Sequence, residues 1–422
     1  MHTPSYLATA ATALALFARP AVGAVVTPET EYSLWMAESI MSRSQGIMTG
    51  KGGSSELLQA GITQRALAAV ATRYPSSAKT ARIVQYLKES AASVVPFTSN
   101  ATYDAFSYPL DRLSTGNALI GLASTYGNGN TSSTEEEGVR AAADALRESI
   151  DLNRRTAEGG LWYFVYPNWS YLDGMWSLAP FYTQYALASA SPTFDGAGEN
   201  TTTEALDDVT LQLDLLWNHT YNATTGLLAH GYDASRTAVW ADAVTGASPH
   251  VWGRSLGWYS MALVDTLQML PQTGAACRYR DDILAKWRSL AAALVNAADA
   301  ATGGWWQVLD EPGREGNYIE SSGTAMFAYS LLKSARLGYL AAEDAVKASV
   351  AGTRAHNYLT NTFVVRDANG TLSYNGTVAV CSLNSTATYE YYVGQPINYN
   401  SVLGSAAYVL ASLEVEERLG SS

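Results

Sequence analysis

Within residues 250–271, HVWGRSLGWYSMALVDTLQMLP, the segment Ser255–Leu270 predicts a helix that must be covered on every side. Leu256, Tyr259, Leu263, Leu267 and Leu270 recur at spacings of three and four, the period of one helical face. Trp258, Met261 and Ala262 make the other side apolar too, and only Asp265 and Gln268 are clearly polar near the end. Such a helix is normally wrapped by other helices, and Pro271 ends it. At its start stand Trp252, Arg254 and Trp258. Aromatic faces beside a planar guanidinium suit a flat ring that bears a carboxylate. Two core tryptophans and an arginine capping a neighbouring helix would produce the same string, so both readings stand at this point.

Helices are also predicted at 31–43, 57–73, 79–94, 114–126, 135–153, 172–189, 202–217, 281–299, 318–340, 342–359 and 400–419. With the central one this makes about twelve. Sustained two-residue alternation is rare; 362–380 is the exception, where Asn369-Gly370 and Asn375-Gly376 suit turns between short strands. Three loop sequences echo one another, each after a predicted helix: TAEGGLW at 156–162, TTGLLAH at 224–230 and TGGWWQ at 302–307. Helix, glycine-aromatic loop, helix is the signature of stacked helical hairpins. Six hairpins can close into an all-α toroid, inner helices apolar all round and loops at one end forming a pocket. No Pro- or Ser-rich linker divides residues 25–422, which read as one domain.

A net charge of −12 argues against nucleic acid or an anionic membrane surface as partner. The first 24 residues, with an apolar run from Leu7 to Phe17 and small residues Val22-Gly23-Ala24, resemble a secretory signal, so the expected location is extracellular. Asn100, Asn130, Asn168, Asn200, Asn218, Asn222, Asn369, Asn375 and Asn384 each begin a glycosylation sequon, and N-linked glycans are expected with export. Cys277 and Cys381 are either one disulfide or two free thiols.

The glycines of 50–55, GKGGSS, resemble a phosphate loop only superficially, because Lys51 is followed by Gly52. Histidine is scarce, and none stands in a zinc-binding pattern; no metal or cofactor is expected. Carboxylates in aromatic surroundings are the better lead. Asp173 lies in NWSYLDGMW (168–176), where burial would raise its pKa as a general acid requires, or where it would simply cap the following helix. Asp111 also precedes a helix, and His230 follows the second glycine loop; both admit a structural role.

The segments YLDGMWSLAPFYTQYA (171–186), LLAHGYDAS (227–235), 250–271, GGWWQVLDEPGREGNYIESSGTAMFAYSLLK (303–333) and YEYYVGQPINYNS (389–401) occur in the order seen in glycoside hydrolase family 105. The chain resembles this family, the unsaturated rhamnogalacturonyl hydrolases, and its neighbours the unsaturated glucuronyl hydrolases. The resemblance implies a six-hairpin α/α barrel, a catalytic aspartate at Asp173, a second pocket aspartate at Asp111, a pocket histidine at His230, and binding residues at Trp252, Arg254 and Trp258. The implied substrate is an oligosaccharide whose non-reducing end is a 4,5-unsaturated uronic acid. Two departures touch the expected pocket rim: Ser255-Leu256 stands where Gly-Asn is usual, and Gly404-Ser-Ala where Gly-Pro-Phe is usual. An inverting glycosidase, a polysaccharide lyase and a carbohydrate-binding protein are the alternatives on the same barrel.

Overall fold

The computed structural model describes residues 31–53, 55–102, 110–126, 133–189, 199–274 and 276–420. The expected leader, 1–24, lies outside them, as does Asn130. In chain order the helices are α1 Tyr32–Ser42, α2 Glu56–Arg73, α3 Thr80–Thr98, α4 Gly116–Tyr126, α5 Ser133–Leu152, α6 Gly174–Ser189, α7 Glu199–Thr220, α8 Gly253–Met269, α9 Cys277–Ala297, α10 Ser321–Arg336, α11 Ala342–Thr362, the short α12 Tyr389–Val393, and α13 Val402–Gly420. A 3-10 turn, Asp111–Thr115, leads into α4.

Their packing is a closed ring. α2 packs on α4, α4 on α6, α6 on α8, α8 on α10, α10 on α13, and α13 back on α2. Each inner helix has an outer partner: α1 against α13, α3 against α2, α5 against α4, α7 against α6, α9 against α8 and α11 against α10. The fold is therefore the (α/α)6 barrel that six hairpins predict. In α8, every residue from Gly253 to Leu267 is buried, which is what a helix without a polar face requires. Among its side chains Leu256, Trp258, Tyr259 and Leu263 belong to the main core, each large apolar group contributing about 1.5–3 kcal/mol by leaving water.

The three echoed loops have one conformational cause. Gly159, Gly226 and Gly303 all take positive φ, of 89°, 72° and 80°, which lets the chain reverse in the loop after each outer helix has ended. Each loop then delivers the chain to the start of the next inner helix.

The structure adds strands that two-residue alternation does not reveal. β1 Trp169–Tyr171 pairs antiparallel with β2 Gly231–Asp233, with Tyr171 opposite Gly231. β3 Val364–Arg366 and β4 Leu372–Tyr374 form the hairpin expected within 362–380, turning at Asn369-Gly370. After Asn375-Gly376 only an isolated bridge from Val378 to Ile397 follows. Helix α10 starts at Ser321, later than its periodicity suggests, because the Glu320 side chain accepts from Gly323 N and fixes the cap there. Both cysteines are free. Cys277 begins α9 at the end of the barrel where inner helices hand over to outer ones, whereas Cys381 is buried in the α11–α13 connection at the other end.

Candidate active site

All outer-to-inner connections open on one end of the ring, so the N-termini of the inner helices gather there. The α3–α4 connection supplies Asp111, α5–α6 supplies Tyr163, Tyr171 and Asp173, and α7–α8 supplies His230 and Trp252. Gln307 and Glu320 come from α9–α10, and Cys381 and Tyr392 from α11–α13. Helix N-termini carry partial positive charge, so this end favours an anion.

Asp173 precedes α6, but its carboxylate does not cap that helix. Among the described residues no N–H of α6 donates to it. Oδ2 instead accepts from Ser255 Oγ, in the first turn of α8, and lies 3.1 Å from His230 Nε2. That nitrogen is fully buried and aligned for no hydrogen bond. The opposite ring nitrogen, His230 Nδ1, is 2.8 Å from Tyr392 OH. The β1–β2 ribbon sets this pairing: Leu172 N donates to His230 O at 3.0 Å, which places the residues on either side of it, Asp173 and the His230 ring, together.

An aromatic wall joins this pair to the second carboxyl. The His230 ring meets Tyr171 edge-on at 5.1 Å, and Tyr171 stacks on Tyr163 at 4.5 Å. Tyr163 OH donates to Asp111 Oδ1 at 3.0 Å. Burial pushes the Asp111 carboxyl up to about 7; the Tyr163 hydrogen bond opposes that rise and the negative charge of Asp173 adds to it. Asp111 and Asp173 retain 8% and 7% of their surface, whereas His230 retains none. Of these three, only the two aspartates keep any contact with solvent.

The expected binding residues of α8 are distributed differently. Trp252 does stand in the wall, 4.8 Å from His230, its Nε1 donating to Gln307 Oε1 at 3.1 Å. Trp258, three residues beyond Ser255 on the same helix face, lies against Trp176 at 4.9 Å within the main core. With 1% of its surface exposed it floors the site rather than presenting a face for stacking. Arg254 is equally buried. Its Nη1 donates to Val378 O at 2.5 Å, its Nη2 donates to Ala379 O at 2.7 Å, and Glu320 Oε1 lies 3.9 Å away. Glu320 in turn accepts from Val378 N at 3.0 Å. The geometry makes Arg254 and Glu320 a clamp on the 378–379 backbone, a reading closer to a structural arginine than to a carboxylate receptor.

Sequence reasoning singled out neither Tyr163, Tyr392 nor Gln307, and counted Tyr171 only as an aromatic neighbour of Asp173. The chain has 26 tyrosines, and nothing in local spacing marks Tyr163 or Tyr392. Ser255 was visible only as a departure from a family pattern.

Two acidic side chains beside aromatic rings, at one end of a helical toroid, are an arrangement that glycoside hydrolysis can use. The chain belongs to Glycosyl Hydrolase Family 88, whose family model matches residues 36–419. Among solved structures it is similar to a family 105 glycoside hydrolase of C. acetobutylicum ATCC 824, with 30% identity, a TM-score of 0.76, and coverage of 92% of this chain and 100% of that one. The unsaturated glucuronyl hydrolase of Bacillus sp. GL1 shares the fold at 12% identity, with a TM-score of 0.61 and coverage of 92% and 96%. Protein Atu3128 of Agrobacterium fabrum is 35% identical over 241 residues, 56% of this chain and 96% of that protein.

Proposed function

We propose that this hydrolase removes a terminal unsaturated uronic acid from an oligosaccharide by hydrating its enol ether double bond. The observation that carries the reading is the carboxyl pair: Asp173 turned away from its own helix toward Ser255 and His230, with Asp111 pushed up to about 7 close by. Enol ether hydration needs one donor that becomes an acceptor, and a neutral Asp111 nearby leaves no second carboxylate charge to oppose Asp173 when it is the acceptor. Asp173 delivers its proton to C4 of the unsaturated ring, and positive charge develops as an oxocarbenium at C5. Water adds at C5 while the Asp173 carboxylate takes up a proton from it. The resulting hemiketal opens and expels the partner sugar, leaving Asp173 protonated as at the start. Asp111, neutral below about pH 7, donates to a sugar hydroxyl. The gathered helix N-termini favour the uronate charge, and the partly exposed Tyr163 ring suits a flattened ring, whereas Trp252, only 1% exposed, packs on His230.

The leaving sugar in this reading is rhamnose, from an unsaturated rhamnogalacturonan disaccharide, as the resemblance of the sequence segments to family 105 implies. Export by the leader and N-glycosylation at the exposed Asn100, Asn218, Asn222, Asn369, Asn375 and Asn384 belong to the same reading. A panel of unsaturated galacturonyl and glucuronyl disaccharides, followed by loss of the double bond's ultraviolet absorbance, tests it. Fastest loss is expected with the galacturonyl-rhamnose substrate. The C4 centre that separates the two uronic acids is lost in the double bond, so preference for a glucuronyl-derived substrate overturns the assignment of linkage and leaving sugar, and no loss with any of them overturns the function. A lyase would create the absorbance instead.

A further inference from the structure

We infer that Ser255 is a positioning residue that locks one oxygen of Asp173, so that the other, Oδ1, is the atom exchanging the proton with substrate and water. The inference rests on the hydration reading above.

Ser255 is fully buried in the first turn of α8, with no surface for a ligand. A serine hydroxyl has one proton to give. Two acceptors stand before it: Asp173 Oδ2, in a very short contact, and His230 O at 3.3 Å. The carboxylate oxygen is the nearer acceptor and carries the charge, so the proton goes to it. A charge-assisted bond of this kind is about twice as strong as a neutral one. Oδ2 is thus held on one side by α8 and flanked on the other by His230 Nε2 at 3.1 Å. His230 cannot swing away, because Tyr392 OH holds its Nδ1 at 2.8 Å and Tyr171 and Trp252 pack on its ring. Oδ1 takes no partner among the described residues.

The asymmetry has a chemical consequence. A carboxyl that serves as donor and then as acceptor must present the same oxygen to C4 and to the attacking water, or rotate between the two steps. With Oδ2 tied to α8 and flanked by His230, rotation about the Asp173 side chain is opposed, and Oδ1 stays the oxygen without a partner among the described residues. Misplacement of a reacting group by an ångström costs on the order of 100-fold in rate. Ser255 acts on turnover through Asp173, without touching substrate.

Ser255→Ala tests this. The expected result is a kcat lower by on the order of 10-fold to 100-fold with KM nearly unchanged. Thermal midpoint and far-ultraviolet circular dichroism check that the variant is folded. The pH dependence of kcat should move as well, since a hydrogen-bond donor to the carboxylate has gone. A merely structural serine would move the melting temperature without moving the pH profile. If wild type consumes the unsaturated substrate and the folded Ser255→Ala protein matches it in kcat and pH profile, the inference is overturned while the hydration reading stands. A rise in KM that accounts for the whole loss also overturns it, because it would place Ser255 in binding. If wild type itself consumes no unsaturated substrate, the hydration reading fails first and takes this inference with it.

Discussion

At the start of an inner helix an aspartate ordinarily accepts hydrogen bonds from the first free N–H groups of that helix. Asp173 occupies such a place and does something else, reaching across to Ser255 on α8. For this reason Asp173→Asn should keep the fold and lose turnover, by on the order of 10²–10⁴-fold in kcat, since an amide neither donates an acidic proton nor accepts one. Full activity in a folded Asp173→Asn protein would falsify the proposed chemistry and leave Asp111 as the acid. Asp111 makes a separate, pH-dependent prediction. Its carboxyl is raised in the folded state from 3.8 to about 7, so the folded chain binds the proton more tightly than the unfolded one. That contribution to stability is complete below pH 3.8, drains away as pH rises toward about 7, and is absent above. Each pH unit in this window costs at most about 1.4 kcal/mol. Asp111→Asn should therefore gain stability over wild type on going from about pH 5 to about pH 8, as denaturant midpoints will show; an unchanged difference refutes the shift. Of these residues the sequence made Asp173, Asp111 and His230 visible as candidates, because carboxylates and scarce histidines draw notice. It left each with a bland alternative, since which way a carboxylate turns depends on Ser255, 82 residues away.

Among elements, the helices were legible and the ribbon that builds the site was not. Three-to-four spacing sets helix faces locally, so α2, α7 and α8 fall within a few residues of their expected bounds. β1 and β2 are three residues each, too short for alternation to register, and they pair across the whole of α6 and α7. What identifies them physically is a glycine. A Cβ on Gly231 would sit 2.4 Å from Ser170 O on the facing strand, so only glycine permits the strands to close. Gly231→Ala should destabilise by about 1–3 kcal/mol, as overpacking does. It should also lower kcat more than that loss explains, because Leu172 N–His230 O is the bond that brings His230 to Asp173. Thermal melts and kinetics on the folded fraction measure the two effects separately. A variant with weakened stability but wild-type kcat would show that the ribbon does not set the catalytic pair.

On the scale of the whole molecule, periodicity tells which face of a helix is covered but not by which partner, so the closure of α13 onto α2 becomes visible only in three dimensions. Closure has a polar fastening at the far end of the barrel, away from Asp173. Asp265, one of the two polar positions near the end of the central helix, is buried there at 2% exposure. Its Oδ1 accepts from Lys333 Nζ, from Tyr329 OH at 2.6 Å and from Arg65 Nη2 at 3.4 Å, and its Oδ2 from Trp176 Nε1 at 3.2 Å. These partners belong to α10, α2 and α6, so one carboxylate on α8 ties four of the six inner helices. Burial alone would raise its pKa; the Lys333 and Arg65 cations outweigh burial and hold it well below the usual carboxylate range. The stability it contributes is therefore present above pH 3.8 and is lost as pH falls below it. Asp265→Asn keeps the volume but leaves Lys333, only 1% exposed, without its counter-charge. Breaking a buried pair from one side costs about 3–5 kcal/mol. Adding Lys333→Met to that variant removes the stranded charge and should recover part of the loss, as seen in denaturant midpoints. Because ten residues of α8, about 15 Å, separate Asp265 from the Ser255 that holds Asp173, kcat per folded molecule should stay near wild type. A collapse of kcat in the folded Asp265→Asn protein would mean that the two ends of the barrel are mechanically coupled, through Trp176 and the Trp258 ring packed against it, and that the far-end fastening is more than structural.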